Sequence, residues 1–164
     1  MNVLVNTQGY NYTYTSYNVH ETSAVTLKIR AGRDGLIGLL PDVKTSFEDE
    51  QFYEIVIGGW SNTKTVVRKG GDFRRNNAEV DKASGFLNET EFRQFWVSWE
   101  NNVIAVGYGD IIGKDVIFSY DDSSAPYEIN YLAFSSYNSW DQGQFIYSTG
   151  KYGLILIFFN EKYV

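Results

Sequence analysis

The chain has 164 residues, enough for one well-buried domain and short for two. Twenty acidic side chains against fourteen basic ones give a formal net charge of −6, which speaks against a nucleic-acid partner, because phosphate backbones are held mainly by cations. The absence of cysteine excludes disulfides and thiolate metal sites, and a single histidine, His20, excludes a two-histidine zinc site. Aromatic residues make up 17 % of the chain and prolines number only two, a balance that suits pleated sheets.

In chain order, the first residues show no charged region followed by an apolar stretch, so no signal peptide is legible. Cytosolic residence and unconventional export are equally compatible with that. "AVTLKIR" at 24–30 alternates Val25, Leu27 and Ile29 with Thr26, Lys28 and Arg30, as a half-buried strand does. Segments 52–57, 63–68, 92–99, 102–108, 115–120, 129–137 and 143–148 read the same way, with a last candidate at 153–159. Turn signals separate them, among them Arg33-Asp34-Gly35 and the hairpin residues Asn101-Asn102. The polar stretch 70–86 reads as one extended surface loop, and a short turn of helix is expected at 42–50 or 88–92. No run approaches the length of a membrane span; the longest apolar one is "LILIFF" at 154–159. About ten short strands without long helices predict an all-β, antiparallel two-sheet sandwich in one domain over 1–164.

The stretch "IVIGGWSNTKTVVR" at 55–68 is distinctive. With Tyr53-Glu54 before it, and with Ala31, Asp34, Ile37 and Leu39 upstream, it resembles the core of the animal farnesoic acid O-methyltransferase domain family. Phe95-Trp96-Val97-Ser98-Trp99 and Ile104, Val106 and Gly107 continue the resemblance, which covers about residues 10–147. Tyr120 and the "GQF" at 143–145 depart from the family's pattern. The resemblance implies a β-rich module of jelly-roll type, similar to concanavalin- or galectin-like sandwiches. The methyl transfer in the family's name finds no support in the residues. A methyl-donor site needs a parallel α/β sheet and a glycine-rich turn opening a helix. The nearest string here, "GYGDIIG" at 107–113, is flanked by strand signals on both sides.

No enzyme activity and no cofactor are expected, because His20 has no evident catalytic partner and no carboxylate pair is spaced for glycoside hydrolysis. The expected function is a lectin-like, carbohydrate-binding module; the alternative is a structural or protein-interaction domain without a small ligand. A pyranose offers an apolar face and a rim of hydroxyls, so its site combines an exposed aromatic ring with amide, carboxylate and guanidinium groups. Asp34, Trp60, Asn62, Arg68, Tyr137 and Trp140 supply these types and are the candidate ligand-binding residues. The opposing interpretation makes Gly58-Gly59 a tight corner and Arg68 a structural partner of Glu54. Replacing Asn62 or Arg68 by alanine is expected to leave folding intact and to weaken glycan binding. Asp110, Asp121 and Asp122 are weak calcium candidates, since loop aspartates more often serve turns. Residues 154–159, apolar at every position, fit a strand buried on both faces or one that meets a second copy, so a homo-oligomer is expected.

Overall fold

The computed structural model describes residues 2–43, 45, 51–70, 72–137 and 141–148. The first half of the chain forms β1 (Asn2–Gln8), β2 (Thr13–Tyr14), β3 (Ala24–Ala31), β4 (Gly35–Leu40), β5 (Tyr53–Gly58) and β6 (Lys64–Lys69). The second half forms β7 (Ala78–Asp81), β8 (Arg93–Ser98), β9 (Val103–Tyr108), β10 (Val116–Asp121), β11 (Tyr131–Ser135) and β12 (Gln142–Ser148). These twelve described strands make two six-stranded antiparallel sheets. The back sheet runs β1-β12-β3-β8-β9-β10 and the front sheet β2-β11-β4-β5-β6-β7. The architecture is the predicted β-sandwich. Among the described residues no helix is long and apolar enough to cross a membrane.

Strand alternation builds the core. Leu27 and Ile29 of β3, Phe95 and Val97 of β8, and Phe145 of β12 face Ile37, Ile55, Val67 and Phe134 of the front sheet in one cluster. Burying each such side chain contributes about 1.5–3 kcal/mol, which is why these strands tolerate almost no polar residue on that face. The front sheet is unusual in burying its outer face too. Leu36, Leu40, Val56, Val66 and Ala133 form a second cluster there with Tyr12 and Phe52. On the outside of the back sheet, the Trp96 ring lies across Gly107, where a β-carbon would stand 2.3 Å from the indole. The Trp96 Nε1 donates to the Lys114 carbonyl at 2.7 Å.

Three sequence readings change. The stretch 70–86 is not one loop, because β7 pairs with β6 inside it. That strand was hard to see because it lies at the sheet's edge and buries only Ala78 and Val80 partially, while Glu79 and Asp81 face Lys64. No helix forms at 88–92; the Asn88 side chain accepts from the backbone N–H of Thr90 and Glu91, a local turn that competes with a helix. The number of strands also rises, with β1 at one edge and the two-residue β2 at another. The Asn101-Asn102 hairpin is present, with φ of 53° and 62° at these residues. "GYGDIIG" is the tip of the β9–β10 hairpin, closed by the Tyr108 N–H on the Asp115 carbonyl. The candidate strand 153–159 and most of 42–50 lie outside the described residues.

Candidate functional site

The β5–β6 connection is a corner in left-handed conformation. After Gly58 (φ 69°), Trp60, Ser61 and Asn62 take φ of 49°, 60° and 69° in succession. Left-handed backbone costs an L-residue about 1–2 kcal/mol, so three in a row require compensation. Asn62 provides it. Its Oδ1 accepts from the N–H groups of Phe86 and Leu87 at 3.0 and 2.9 Å, and its Nδ2 donates to the Leu87 carbonyl at 2.9 Å. Thr63 closes the turn through its N–H on the Gly59 carbonyl and its hydroxyl on the Trp60 carbonyl. The outcome is a Trp60 ring held outward, 47 % exposed.

Glu54 lies behind that corner on the outer face of β5, directly opposite Arg68 of β6, and is fully buried. Arg68 Nη1 donates to Glu54 Oε2 at 2.9 Å, and Arg68 Nε donates to Asn76 at 3.1 Å. Tyr12 and Tyr10 donate to Glu54 Oε1 at 2.6 and 3.0 Å. Burial and the neighbouring Glu54 charge push both phenols well above their ordinary range, so they stay protonated donors. The network reaches the surface in two directions. The Arg68 guanidinium lies 5.4 Å from the Trp60 ring centroid, and Tyr10 packs edge-on against Tyr137 at 6.2 Å. One buried carboxylate thereby positions two exposed aromatic rings.

Between them opens a cleft of about 360 Å³. Leu36 and Val56 form its apolar floor, and Trp60, Phe73 and Tyr137 its aromatic walls. Arg33, Asp34, Ser61 and Arg68 supply the polar rim. Asp34 sits in the β3–β4 turn at φ 52°, tied by its N–H to the Gly58 carbonyl at 2.9 Å. Only 8 % exposed, it meets Arg33 at 3.6 Å, and Arg33 also reaches Asp141 at 3.3 Å. Burial first, then the Asp141 charge, push the Asp34 carboxyl up to about 6, against the pull of Arg33 and Arg68. A raised carboxyl costs the fold stability above its pKa, and that cost is relieved as pH falls through about 6. Asp34 is a poor choice for stability alone.

Four of the six candidate residues, Asp34, Trp60, Arg68 and Tyr137, therefore line one cleft. Asn62 does not line it; its amide is committed to the loop at 86–87, and its part is to hold Trp60. Trp140 lies outside the described residues. Arg33, Ser61 and Phe73 join the site without having been candidates: Arg33 and Ser61 sit beside Asp34 and Trp60 in their turns, and Phe73 comes from the polar stretch 70–86. The calcium candidates do not converge on it. Asp122 is buried and already neutralised by Lys69 at 2.7 Å, with Tyr53 and Tyr120 donating at 2.5 and 3.1 Å. Asp121 closes its own turn on the Ser123 N–H, and Asp110 is exposed in the β9–β10 loop. A cation at Asp122 would have to displace an ammonium that fits. No group of three potential metal ligands gathers among the described residues.

The sequence matches the family described as farnesoic acid O-methyl transferase over residues 6–151. This chain belongs to that family. Uncharacterized protein 5 of Haliotis asinina is 40 % identical over 57 residues, 35 % of this chain and 31 % of that protein. The chain thus matches under a third of that relative's length. Among solved structures, the exoplasmic/lumenal domain of VIP36 in its Ca2+/Man3GlcNAc-bound form superposes with a TM-score of 0.55 at 8 % identity, over 91 % of this chain and 84 % of that one. A carbohydrate binding module of Bacillus subtilis, CBM66, gives 0.53 at 11 % identity, over 85 % and 80 %. A native glycosidic hydrolase gives 0.55 at 11 % identity, over 91 % and 78 %. At such identities the likeness shows the fold alone, a two-sheet β-sandwich. In this member of the family that fold consists of two antiparallel sheets, with no parallel α/β layer among the described residues.

Proposed function

We propose that the protein is a non-enzymatic, carbohydrate-binding module and that the Trp60–Tyr137 cleft holds the glycan. The observation that carries this reading is the pairing of two outward aromatic rings over an apolar floor with a carboxylate and guanidiniums on the rim. A sugar ring stacks its CH face on such walls and directs its hydroxyls to the rim. A strained corner that holds an exposed tryptophan is a further argument, since strain of this kind concentrates at ligand sites. The solved carbohydrate binding module and the glycan-bound VIP36 domain share the fold, which supports the reading by analogy. The protein-interaction alternative would suit a flat aromatic patch; rings lining a concave cleft favour the sugar.

A glycan array followed by titration of its hits tests the proposal. Trp60→Ala is expected to weaken binding about tenfold, on the order of 1.4 kcal/mol, with an unchanged melting temperature because the ring is half exposed. In the same calorimeter S-adenosylmethionine is expected to give no saturable heat. Undiminished binding in both Trp60→Ala and Tyr137→Ala would move the site elsewhere, and a methyl-donor isotherm would overturn the non-enzymatic reading.

Association of copies belongs to the same proposal, because single sugar sites are weak and multivalency raises their avidity. Its motive is the apolar run 154–159, which lies outside the described residues. Light scattering at high micromolar concentration is expected to give a mass above one chain. A strict monomer would remove the claim.

A further inference from the structure

The charges around the cleft are unevenly committed. Both guanidiniums already have carboxylate partners: Arg68 is paired with Glu54, and Arg33 lies between Asp34 and Asp141. Lys64, 5.6 Å from the Trp60 centroid, is matched by Glu79 and Asp81. With Asp34 on the cleft wall and Glu54 and Asp141 behind it, three carboxylates answer two guanidiniums, and no surplus cation stands on the rim among the described residues. Asp34 is in the opposite position. Its oxygens meet Arg33 only at 3.6 Å, beyond hydrogen-bond length, and accept no hydrogen bond from any described residue. A nearly buried carboxylate is left on the cleft wall with its acceptor capacity unused, in a turn that its own backbone N–H fixes against Gly58.

Resting on the glycan reading of this cleft, we propose that it selects uncharged sugars over uronic, sialic or sulfated ones, with Asp34 as the residue that decides. Sugar hydroxyls are donors and complete the missing bonds of Asp34. An anionic substituent is an acceptor only. It would set a further negative group against the nearly buried Asp34, beside guanidiniums that Glu54 and Asp141 already neutralise from behind the cleft, and like charges repel more strongly there than in water.

The choice has a signature in the sign of the pH dependence. Hydroxyl donors favour ionised Asp34, so affinity for a neutral glycan is full above about 6 and falls as the carboxyl takes up its proton. An anionic glycan would show the reverse, because protonation removes the charge that repels it. The groups facing Asp34 are Asp141, Arg33 and Arg68.

The test uses an immobilised array carrying neutral hexose oligosaccharides beside the same oligosaccharides bearing a sialic, uronic or sulfate group, read at pH 7.5 and 5.0. Neutral members are expected to bind, with affinity about tenfold lower at pH 5.0. Asp34→Asn is expected to weaken binding at pH 7.5 and to flatten the profile while its melting temperature stays equal or rises, which a merely structural role would not produce. Preference for the anionic members, or affinity that rises on acidification, overturns the proposal. Neutral binding that is independent of pH and unchanged in Asp34→Asn removes Asp34 from the site and leaves the glycan reading standing. Absence of any bound glycan at either pH overturns both.

Discussion

Glu54→Ala is expected to destabilise the protein by about 3–5 kcal/mol, the range found when one partner of a buried ion pair is removed. Glu54 is fully buried and receives Arg68, Tyr10 and Tyr12, so its loss takes the acceptor from the buried Tyr12 phenol and the counterion from Arg68, while the half-exposed Tyr10 can turn to water. For a domain of this size the melting temperature should drop on the order of 10 °C. Arg68→Leu should be comparably damaging, because it leaves the Glu54 charge without its counterion. The double change Glu54→Leu with Arg68→Leu should cost less than Arg68→Leu alone, since an apolar pair leaves no orphaned charge. The expectation that Arg68 is dispensable for folding is thereby revised. Thermal melts followed by circular dichroism decide it. A Glu54→Ala variant melting within 2 °C of the parent protein, by the same size relation, would sink the argument.

Asn62→Ala is the second large effect, and it too replaces an expectation of intact folding. The side chain makes three hydrogen bonds to the backbone at 86–87 and none to the cleft. Each buried polar group left unsatisfied costs about 1–3 kcal/mol, so a total near 3 kcal/mol is expected. The left-handed corner should relax at the same time, because only the two Thr63 bonds then remain to hold three residues at positive φ. Glycan binding should then fall through misplacement of Trp60. Asn62→Asp should be intermediate: it keeps an acceptor for the two N–H groups but sets an oxygen against the Leu87 carbonyl. Urea denaturation read by tryptophan fluorescence measures both variants. A loss below about 0.5 kcal/mol for Asn62→Ala, the level of an ordinary surface change, would show that the corner stands without it.

Much of the fold was legible because it follows from local periodicity. Val25, Leu27 and Ile29 recur every second residue, and that spacing alone puts them on one face of a strand whatever the strand packs against. β7 escaped because its alternation lasts only four residues, Ala78 to Asp81, and buries its two apolar side chains only in part, too short a run to stand out from a polar stretch. The candidate site was legible as a set of residue types. Trp60, Asn62 and Arg68 were readable as sugar-type chemistry on one corner, Asp34 as a partner from an earlier turn, and Tyr137 as an exposed aromatic far from them.

Sequence by itself determined the class of the fold, the left-handed preference of Gly58 and of the two asparagines at 101 and 102, and the chemical character of the groups near the corner. Only the tertiary structure decided their tasks. Asn62 and Arg68 look alike as candidate ligand groups, but Asn62 is turned towards a loop 24 residues downstream, and Arg68 is clamped by Glu54 with one edge towards the cleft. The sequence offered Glu54 only as a structural partner of Arg68, a pair that the structure shows. Glu54 becomes the centre of the site because Tyr10 and Tyr12, more than forty residues away, fold over it. Spacing along the chain carries the period of a strand, which is a local property. Which polar groups are compensated, and which is left with a free acceptor facing a cleft, depends on contacts between distant segments, and no local pattern encodes those.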